Sequence, residues 1–504
     1  MSLTRRRCVA SAALLLAGCA ATPPGAPAPL EMPPPLAREF RGAWVATVAN
    51  IDWPSAPGLP VAQQQAEVVR IVERAAALGL NALLLQVRPA ADALYPSALE
   101  PWSEFLSGTQ GVGVDYDPLA FWLEQAHRRG LELHAWFNPF RARHPSAKSA
   151  SAPGHVAVTQ PGWVKAYGDL LWLDPGEPAA QAHSLAVVAD LVRRYDIDGV
   201  HIDDYFYPYP VTVDGRELAF PDDASWQRAQ GAGNTLARDD WRRANVDRFV
   251  RSLYQQVHAL KPWLRVGVSP FGLPRVERRP AAILGFDPYA KLFADAERWL
   301  AEGWLDYAAP QLYWPLASPG QPFADLLALW VRDNPRGRHL WPGLFTSSVA
   351  RPPRNWPADE VLDQVAHLRA QPAAATQGHI HFSMLALLDD RGGVGTRLQA
   401  ANAAPALVPA TPWLGAVAPA APRLLRRGGQ VIVEAAAGEP TQWFALWRRQ
   451  AGRWRFALQP AGAPVQVNAA GEKLVAVAAS SIGRTGLESP TVSLGLMADD
   501  RADD

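Results

Sequence analysis

Cysteine is the scarcest reactive residue of this chain, with two among 504 residues, Cys8 and Cys19. Cys8 lies in an N-terminal leader described below, and Cys19 is predicted to carry a lipid. A disulfide needs two cysteines, while thiolate metal sites and cysteine-protease centres need a free thiolate. All three kinds of site are therefore excluded from the processed chain.

A net charge of either sign is also missing, since Lys and Arg total 48 and Asp and Glu total 48. Residues 1-18 contain three Arg and no acid, so without them the chain carries 45 basic and 48 acidic residues, about −3 net with neutral His. Proteins that bind nucleic acid need a basic surface. We therefore expect no nucleic-acid partner.

The N-terminal apolar run, Val9 to Ala17, is shorter than the ~20 residues that span a membrane. It follows three Arg and ends in Leu16-Ala17-Gly18-Cys19, which resembles the lipobox of bacterial lipoproteins. This predicts that residues 1-18 are a lipoprotein signal peptide and that Cys19 is the acylated first residue of the mature protein. Ala20 stands where a retained lipoprotein has Asp. The expected location is the outer membrane, lipid-anchored and facing the periplasm.

Composition divides the rest of the chain. Residues 19-37 and 391-415 are rich in Pro and Ala and are predicted to be a tether and a linker. Residues 38-390 alternate short β-rich runs with amphipathic helices, the pattern of an α/β protein with a (β/α)8 TIM barrel. The eight predicted strands are Gly42 to Thr47, Ala82 to Val87, Glu132 to Phe137, Gly199 to Asp203, Arg265 to Ser269, Tyr307 to Tyr313, Trp341 to Phe345 and Gly378 to Ser383.

Residues 416-498 contain short alternating strands broken by Gly, Pro and Asn, which predicts a small all-β sandwich. Val475 to Ser489 resembles the closing strands of a fibronectin type III domain. Trp443, Trp447 and Trp454 are expected to fill its core rather than to bind glycan. We expect this domain to be a spacer or a docking module.

The fourth predicted strand ends in two adjacent carboxylates, Asp203 and Asp204, followed by a run of aromatic residues. Strand alternation places His201 and Asp203 on one face, toward the barrel interior. An Asp-Asp pair alone commonly caps the next segment. Carboxylates beside aromatic rings, however, suit glycosidic-bond cleavage, because carboxylates stabilise an oxocarbenium-like centre and rings stack on sugar faces. The predicted catalytic residues are Asp203, Asp204 and His201.

Polar and aromatic residues also lie on or after the other predicted strands. In a (β/α)8 barrel the carboxyl ends of the strands meet at one rim, so these residues predict an oligosaccharide cleft. Taken singly, each has a structural explanation, since aromatic residues on strands usually belong to the core. The predicted substrate-binding residues are Asp52, Trp53, Gln86, Arg88, His134, Trp136, Asn138, Arg141, Tyr205, Tyr207, Gln311, Tyr313 and Trp314.

Long motifs occur in order across the barrel segment: F-R-G-A-W-V-A-T-V-A-N-I-D-W-P-S (40-55), L-L-L-Q-V-R-P-A-A-D-A-L-Y-P-S (83-97), P-W-S-E-F-L-S-G-T-Q-G (101-111), H-A-W-F-N-P-F-R (134-141), D-G-V-H-I-D-D-Y-F-Y-P (198-208), G-V-S-P-F-G (267-272) and E-G-W-L-D-Y-A-A-P-Q-L-Y-W (302-314). Together they resemble the glycosyl-hydrolase-like 10 family. The resemblance implies a TIM-barrel glycoside hydrolase of the bacterial envelope, often a lipoprotein, with members linked to peptidoglycan glycan strands. We expect an envelope-anchored enzyme that cleaves such strands by carboxylate acid/base chemistry, with no metal or cofactor.

Two further resemblances bear on the fourth strand. Residues 199-203 resemble the G-x-R-x-D of the α-amylase barrel, whose final Asp is the nucleophile. Asp203 is therefore expected to be the nucleophile or the carboxylate that stabilises positive charge, with His201 in the place of the Arg. Against the D-G-x-D-x-D-x-E strand of family 18 chitinases, Asp198 and Asp203 match, but His201 replaces the middle Asp and Tyr205 the catalytic Glu. This departure argues against a chitinase mechanism.

The proton donor stays open at this point. It must be a carboxyl group of raised pKa, about 5–5.5 Å from Asp203 in a retaining enzyme and about 6.5–9.5 Å in an inverting one. The candidates are Asp204, the nearest, then Asp52, Glu104 and Glu277. In a regular strand Asp204 would point away from Asp203, unless a bulge turned both inward.

Two other classes of function are compatible with these residues. The first is a catalytically silent glycan-binding lipoprotein, because a fold does not guarantee chemistry. The second is a metal-dependent polysaccharide deacetylase using His201, Asp203 and Asp204, or the pair His379 and His381, since His and Asp are good metal ligands.

Overall fold

The computed structural model describes residues 31–427, 430–468 and 474–496. Within these ranges, strand and helix alternate eight times from residue 40 to residue 401. The strands are β1 (Phe40–Val45), β2 (Ala82–Arg88), β3 (Glu132–Phe137), β4 (Gly199–Ile202), β5 (Arg265–Val268), β6 (Tyr307–Ala308), β7 (His339–Leu340 and Gly343–Leu344) and β8 (Gly378–His381). The helices that follow them are α1 (Val61–Ala77), α2 (Pro118–Arg128), α3 (Pro178–Arg194), α4 (Arg238–Leu260), α5 (Ala296–Glu302), α6 (Phe323–Arg332), α7 (Ala358–Arg369) and α8 (Val394–Ala401).

The eight strands form one parallel sheet that closes on itself. Each strand pairs with the next in chain order, and β8 pairs with β1. The ring closes through β7, whose first segment pairs with β6 while its second pairs with β8. Pro342 separates the two segments, because proline cannot donate a ladder hydrogen bond. The predicted (β/α)8 barrel is confirmed.

Local signals in the sequence set the ends of the helices. The Asp117 side chain accepts a hydrogen bond from the Ala120 amide. Pro118 occupies the first turn of α2, where a backbone N–H would have no partner within the helix, so the N–H that proline lacks is not missed. After α1, Gly79 adopts a φ of +68°, a left-handed conformation that glycine accepts without strain. These short connections return the chain to the next strand.

Aromatic rings fill the barrel interior. Phe40 stacks on Trp341 with ring centroids 3.8 Å apart, and Trp341 stacks on Tyr307 at 4.6 Å. Glycines in register on the neighbouring strands leave room for these rings. A Cβ at Gly267 would lie 2.0 Å from the Tyr307 ring, and one at Gly199 would lie 2.5 Å from the His134 ring. The interior is therefore a packed floor beneath the carboxyl ends of the strands.

We call those carboxyl ends the mouth of the barrel and the opposite ends the bottom face. Two loops at the mouth carry extra structure. The loop between β3 and α3 forms a three-stranded antiparallel sheet of Arg141–Arg143, Val164–Tyr167 and Leu170–Leu173. The loop between β4 and α4 carries a hairpin, Thr212–Val213 with Arg216–Glu217. Further helices in the barrel loops are Glu104–Ser107, Val156–Thr159, Asp223–Gly231, Pro288–Lys291 and Met384–Leu388.

The C-terminal region is a two-sheet antiparallel structure. Its strands are β9 (Arg423–Arg427), β10 (Gln430–Glu434), β11 (Thr441–Gln450), β12 (Arg453–Pro460), β13 (Val465–Asn468), β14 (Leu474–Gly483) and β15 (Val492–Gly495). One sheet has the order β9-β10-β13 and the other β12-β11-β14-β15. Val431 and Val433 from the first sheet share a buried cluster with Phe444, Leu446 and Val477 from the second. This all-β region agrees with the predicted sandwich. Trp443 and Trp447 are buried.

The predicted linker, 391-415, includes a barrel element. Val394–Ala401 is α8, and its Val394 and Leu398 side chains are fully buried in the barrel's main core cluster. The segment is rich in Ala, which resembles a linker in composition but also favours helix. The barrel therefore extends past the expected end at residue 390. Further along, Ala406–Leu407 pairs in parallel with Ala37–Arg38.

The sandwich is docked on the bottom face of the barrel. The Gln442 amide donates to Asp198, just before β4, at 2.7 Å, and Arg484 pairs with Asp196 at 2.6 Å. Where the chain enters the barrel, Arg38 pairs with Glu488 of the sandwich at 2.5 Å. The sandwich thus lies at the pole opposite the mouth.

The predicted signal peptide, Cys19 and most of the predicted tether lie outside the described residues. Among the helices of the described ranges, none has the length and apolarity needed to cross a membrane.

Replacing Gly267 by Ala tests the packed floor. The new methyl group would overlap the Tyr307 ring, so Gly267→Ala should lower the free energy of unfolding by about 1–3 kcal/mol, as overpacked cores do. Gly231→Ala is the matched control, because nothing lies within 4 Å of its Cβ position. Denaturant unfolding followed by circular dichroism measures both. Equal stability of the two variants would contradict the ring-against-glycine packing.

Candidate active site

Asp203 lies directly after β4 and is 3% exposed. Its carboxylate accepts the Trp136 indole N–H at 3.2 Å and the Asn138 amide at 3.2 and 3.4 Å. Asn138 is itself oriented, because its Oδ1 accepts the Arg141 backbone N–H at 2.8 Å. The end of β3 therefore holds the carboxylate of β4 in one position.

Asp204 is 2% exposed and is held by a residue of its own loop and by one that follows β6. The Tyr209 hydroxyl donates to Asp204 Oδ2, and the Gln311 side chain also bonds this carboxylate. The regular strand ends at Ile202, so the expected alternation stops before the two acids. Both side chains are consequently buried at the mouth, and we call them the carboxylate pair.

The pair has unusual acidity. Burial raises the pKa of Asp203 to about 7, against the lowering effect of Arg141, and the charge of Asp204 raises it further. Burial also raises the pKa of Asp204 to about 6, which the Tyr209 hydroxyl and Gln311 oppose. Two adjacent buried carboxyl groups resist losing both protons. Near neutral pH the pair can therefore hold a proton to donate.

His201 lies beneath the carboxylate pair and is fully buried. Its Nε2 accepts the Trp44 indole N–H at 3.1 Å and lies 3.1 Å from the Ser269 hydroxyl, so the proton resides on Nδ1, 3.1 Å from the Tyr307 hydroxyl. Burial, with the neighbouring His134, holds the pKa of His201 well below its usual range. A neutral ring bonded at both nitrogens supports the strand end and does not reach a substrate directly.

One wall of the mouth is formed by the β3 and β4 loops. Arg141 lies over the Tyr205 ring, 5.5 Å from its centroid, and its Nε donates to the Pro89 carbonyl at 2.8 Å. Its Nη2 is buried without a hydrogen-bond partner among the described residues. Arg141, Tyr205 and Tyr209 line a cavity of about 440 Å³ beside the carboxylate pair.

The facing wall comes from the ends of β6, β7 and β8. Tyr313 stacks on Phe345 with centroids 4.7 Å apart, and Phe382 lies 5.8 Å from Tyr313. All three rings are partly exposed, as is Trp314, which meets Phe271 edge-on at 5.8 Å. Burial raises the pKa of Tyr313 well above its usual value, and the charge of the nearby Asp204 raises it further, so this wall lies beside the pair. Buried acids between aromatic walls are an arrangement that can protonate a glycosidic oxygen and hold sugar rings.

Comparison with known proteins identifies the family. The glycoside hydrolase domain of PgaB (BpsB) from Bordetella bronchiseptica aligns with a TM-score of 0.48 and 16% identity, over 74% of this chain and 100% of that one. Glycosyl hydrolase YngK of Bacillus subtilis (strain 168) is 38% identical over 404 residues, 77% of each chain. Glycosyl hydrolase DigH of Escherichia coli (strain K12) is 33% identical over 402 residues, 74% of this chain and 89% of the relative. The family model for Glycosyl hydrolase-like 10 matches residues 39–359. The chain belongs to this family.

As a glycosyl hydrolase-like 10 protein the chain is a glycosidase, and its predicted site residues divide into two groups. The mouth brings together the carboxylate pair and seven of the predicted substrate-binding residues: Trp136, Asn138, Arg141, Tyr205, Gln311, Tyr313 and Trp314. The other predicted residues lie in the supporting structure.

Three of these supporting residues stabilise the loops of the glycosyl hydrolase-like 10 barrel. Trp53 is fully buried, donates to the Gln64 carbonyl and packs against Trp122, between α1 and α2. Arg88 forms a buried ion pair with Glu100 at 2.5 Å. Tyr207 is buried against Phe220 and Phe293. Their positions after strands suggested the rim, but the loops fold back and enclose them.

Three others join the strands. Asp52 accepts hydrogen bonds from the Ala46 and Leu385 amides and the Ser383 hydroxyl, each at 2.7 Å, which ties β1 to the end of β8. Gln86 accepts the amides of Thr47 and Val48. His134 lies deeper in the barrel, in register with Gly199, and bonds Tyr307 and Glu132. None of these three is placed to touch a sugar.

The remaining proton-donor candidates are less suited than Asp204. Glu104 accepts the backbone amides of Lys148 and Ser149, both at 2.8 Å, and so holds a loop. Glu277 is exposed on a short 3-10 turn.

His381, which was considered as a metal ligand, bonds Thr346 inside the barrel. Across the described residues, no three His, Cys, Asp or Glu side chains gather as metal ligands.

Four mouth residues were missed from the sequence. Trp44 supports His201 from β1, and its place two residues after Gly42 on an alternating strand could have indicated the interior face. Tyr209 lies within the aromatic run that follows the carboxylate pair. Phe345 ends β7, from which no site residue was predicted, and Phe382 ends β8, where His379 and His381 were considered instead.

Removing the Tyr209 hydroxyl should shift the pH dependence of the enzyme. The hydrogen bond lowers the pKa of Asp204, so Tyr209→Phe raises it above about 6. A general acid works only while protonated, so the alkaline limb of kcat/KM for glycan hydrolysis should move to higher pH. Tyr116→Phe, whose hydroxyl bonds Gln64, is the control and should leave the limb in place. A Tyr209→Phe limb that stays, or moves to lower pH, would refute the role of Asp204 as acid.

Proposed function

We propose that this glycosidase cleaves the glycan strands of bacterial peptidoglycan by carboxylate acid/base chemistry, anchored in the cell envelope through a lipid on Cys19. The observation that carries the proposal is the buried carboxylate pair between two aromatic walls. Asp204 protonates the leaving oxygen, and Asp203 stabilises the positive charge that develops at the anomeric carbon.

The environment of each acid fits its role. The pKa values, about 7 for Asp203 and about 6 for Asp204, describe a pair that shares one proton near neutral pH. We place that proton on Asp204 in the reactive form, because the N–H donors of Trp136 and Asn138 point at Asp203 and stabilise its carboxylate. Asp204 has a pKa of about 6, within the range at which a carboxyl group can give up a proton near neutral pH. The two side chains therefore divide the work of acid and charge stabiliser.

Arg141 supports a peptidoglycan strand as the substrate. A buried guanidinium with an unpaired Nη2 beside a cavity is suited to a carboxylate. In peptidoglycan, every second sugar carries a lactyl group whose carboxylate is free once the stem peptide is removed. We therefore propose peptide-free strands as the preferred form.

The position of the tether fits an enzyme whose active site faces away from the membrane that anchors it. Ala37–Arg38 enters at the bottom face, beside the sandwich, and the mouth lies at the opposite pole. An anchor at Cys19 would therefore leave the mouth facing away from the membrane and toward the wall.

The test of activity uses the purified chain from Ala20 onward, with peptidoglycan that either retains or lacks its stem peptides. Mass spectrometry should find released glycan fragments, more of them from the peptide-free form. Asp204→Asn and Asp203→Asn should each lower the rate by about 10²- to 10⁴-fold, the usual contribution of such groups. Asp359→Asn, an exposed acid on α7, is the matched control and should keep full activity.

The possible results separate the alternatives. Binding of glycan without release of any fragment would make the protein a glycan-binding lipoprotein. Release of acetate without chain cleavage would make it a deacetylase. Unchanged cleavage by Asp203→Asn and Asp204→Asn would remove the carboxylate pair from the mechanism.

The anchor has its own test. In the natural host, cells fed labelled palmitate should incorporate the label into the full chain, and the protein should sediment with the outer membrane. Cys19→Ser should lose the label and appear in the soluble fraction, whereas Cys8→Ser should behave like the wild type. Labelling that survives Cys19→Ser would contradict the proposed lipid site.

A further inference from the structure

The carboxylate pair has an unusual arrangement for a retaining glycosidase. In a retaining enzyme a carboxylate nucleophile and a proton donor lie on opposite sides of the scissile bond, with their carboxyl groups about 5–5.5 Å apart. Here the two acids are neighbours in sequence and leave the end of one strand, β4. The side chains that face them from β6, β7 and β8 are uncharged: Gln311, Tyr313, Phe345 and Phe382.

Other carboxylates near the mouth are already engaged. Asp52 accepts three hydrogen bonds, and Glu104 accepts two backbone amides. Glu297, behind Asp204, accepts the Arg275 amide at 2.9 Å. Asp169 lines the Arg141 cavity but is exposed on the turn between two strands of the β3 loop. Asp169 is therefore the one rival to test among the acids described at the mouth.

We infer that the nucleophile is the substrate's own 2-acetamido oxygen, with Asp203 holding the acetamide N–H and Asp204 serving as general acid and then general base. This inference rests on the proposed function and adds to it the requirement for an N-acetyl group next to the bond that is cleaved. In participation of this kind the substrate's own oxygen occupies the face opposite the leaving group, so the protein needs only an acceptor beside the acetamide at C2 and an acid at the neighbouring leaving oxygen. An adjacent pair supplies both. Tyr205 stands where the chitinase strand has its catalytic Glu, so the chitinase assignment of residues does not apply, and Asp204 takes the place of that acid here.

The steps balance as follows. The acetamide oxygen attacks the anomeric carbon while the bond to the leaving oxygen breaks and Asp204 gives that oxygen its proton. The product is a bicyclic oxazolinium whose charged N–H is held by the Asp203 carboxylate. Water then attacks the anomeric carbon, Asp204 takes the water proton, and the ring opens to restore the acetamide. The configuration at the anomeric carbon is retained.

The floor of the mouth suits an acetyl group. Trp136 donates to Asp203 and is 6% exposed, and Trp44 lies beneath it at 2% exposure. Phe382 meets Trp44 at 6.1 Å and completes an apolar surface next to the acid. A methyl group gains free energy by leaving water for such a surface, and its carbonyl oxygen is then held near the anomeric carbon.

The experiment varies the acyl group and leaves the protein intact. Peptide-free glycan is compared with the same material after chemical N-deacetylation and after re-acetylation. Deacetylation should lower the cleavage rate at least 10³-fold, and re-acetylation should restore it. In aryl glycosides carrying N-acetyl, N-fluoroacetyl, N-difluoroacetyl and N-trifluoroacetyl groups, each added fluorine should lower kcat severalfold, because it makes the attacking oxygen less nucleophilic.

Product stereochemistry and variants complete the test. Proton NMR should show the retained anomer as the first product, and a thiazoline analogue of the bicyclic intermediate should inhibit competitively. Asp169→Asn should keep kcat within about twofold, while its KM can change because Asp169 lines the Arg141 cavity. Rates indifferent to fluorination, an inverted product, or loss of activity in Asp169→Asn would overturn the inference while leaving the glycosidase in place. Failure to cleave either the acetylated or the deacetylated glycan would instead overturn the proposed substrate.

Discussion

The rest of the structure depends on a chain of hydrogen bonds through the middle of the barrel. The His201 Nδ1–H donates to the Tyr307 hydroxyl, which donates to His134 Nδ1, and His134 Nε2–H donates to Glu132. Glu132 is in turn paired with Arg265 at 2.8 Å. The chain therefore links β3, β4, β5 and β6 across the interior.

This chain of hydrogen bonds depends on the exclusion of water from the barrel interior and on enough room there for its rings. Every ring in it is fully buried, so each polar atom needs its partner, and a missing one would cost about 1–3 kcal/mol. The glycines opposite Tyr307 and His134 leave the gaps that the rings fill. The chain fixes the position of β4, so that Asp203 accepts hydrogen bonds from Trp136 and Asn138. Burial at this position raises the pKa of Asp203.

The fold was predictable because it depends on periodic features. Strands and helices alternate, and glycine and proline mark where many of them end. Prolines changed two of the predicted strands, because proline cannot donate a ladder hydrogen bond. The sixth, expected over residues 307–313, ends at Ala308 before Pro310, and the seventh, expected from Trp341, begins at His339 and is split at Pro342. The last helix was missed because an Ala-rich segment has the composition of a linker, and only its burial shows that it packs.

The site was predictable only in part. A strand's end indicates the rim, and that was enough for Asp203, Asp204, Asn138 and Arg141. It could not distinguish a side chain that faces the mouth from one that a loop covers, which is why Arg88 and Tyr207 were grouped with the site residues. That distinction depends on contacts between loops distant in sequence, such as Arg88 with the carbonyls of Asn138 and Pro139.

The two poles of the molecule also divide it mechanically. The chain enters through Ala37–Arg38, which is bonded to Ala406–Leu407 and to Glu488, all on the bottom side. A pull on the N-terminal segment is therefore shared between the barrel base and the sandwich before it can reach any loop of the mouth. Force applied at that segment would pass first into the strand pairing and the ion pair of the bottom face, which separates the mouth mechanically from the chain's entry point.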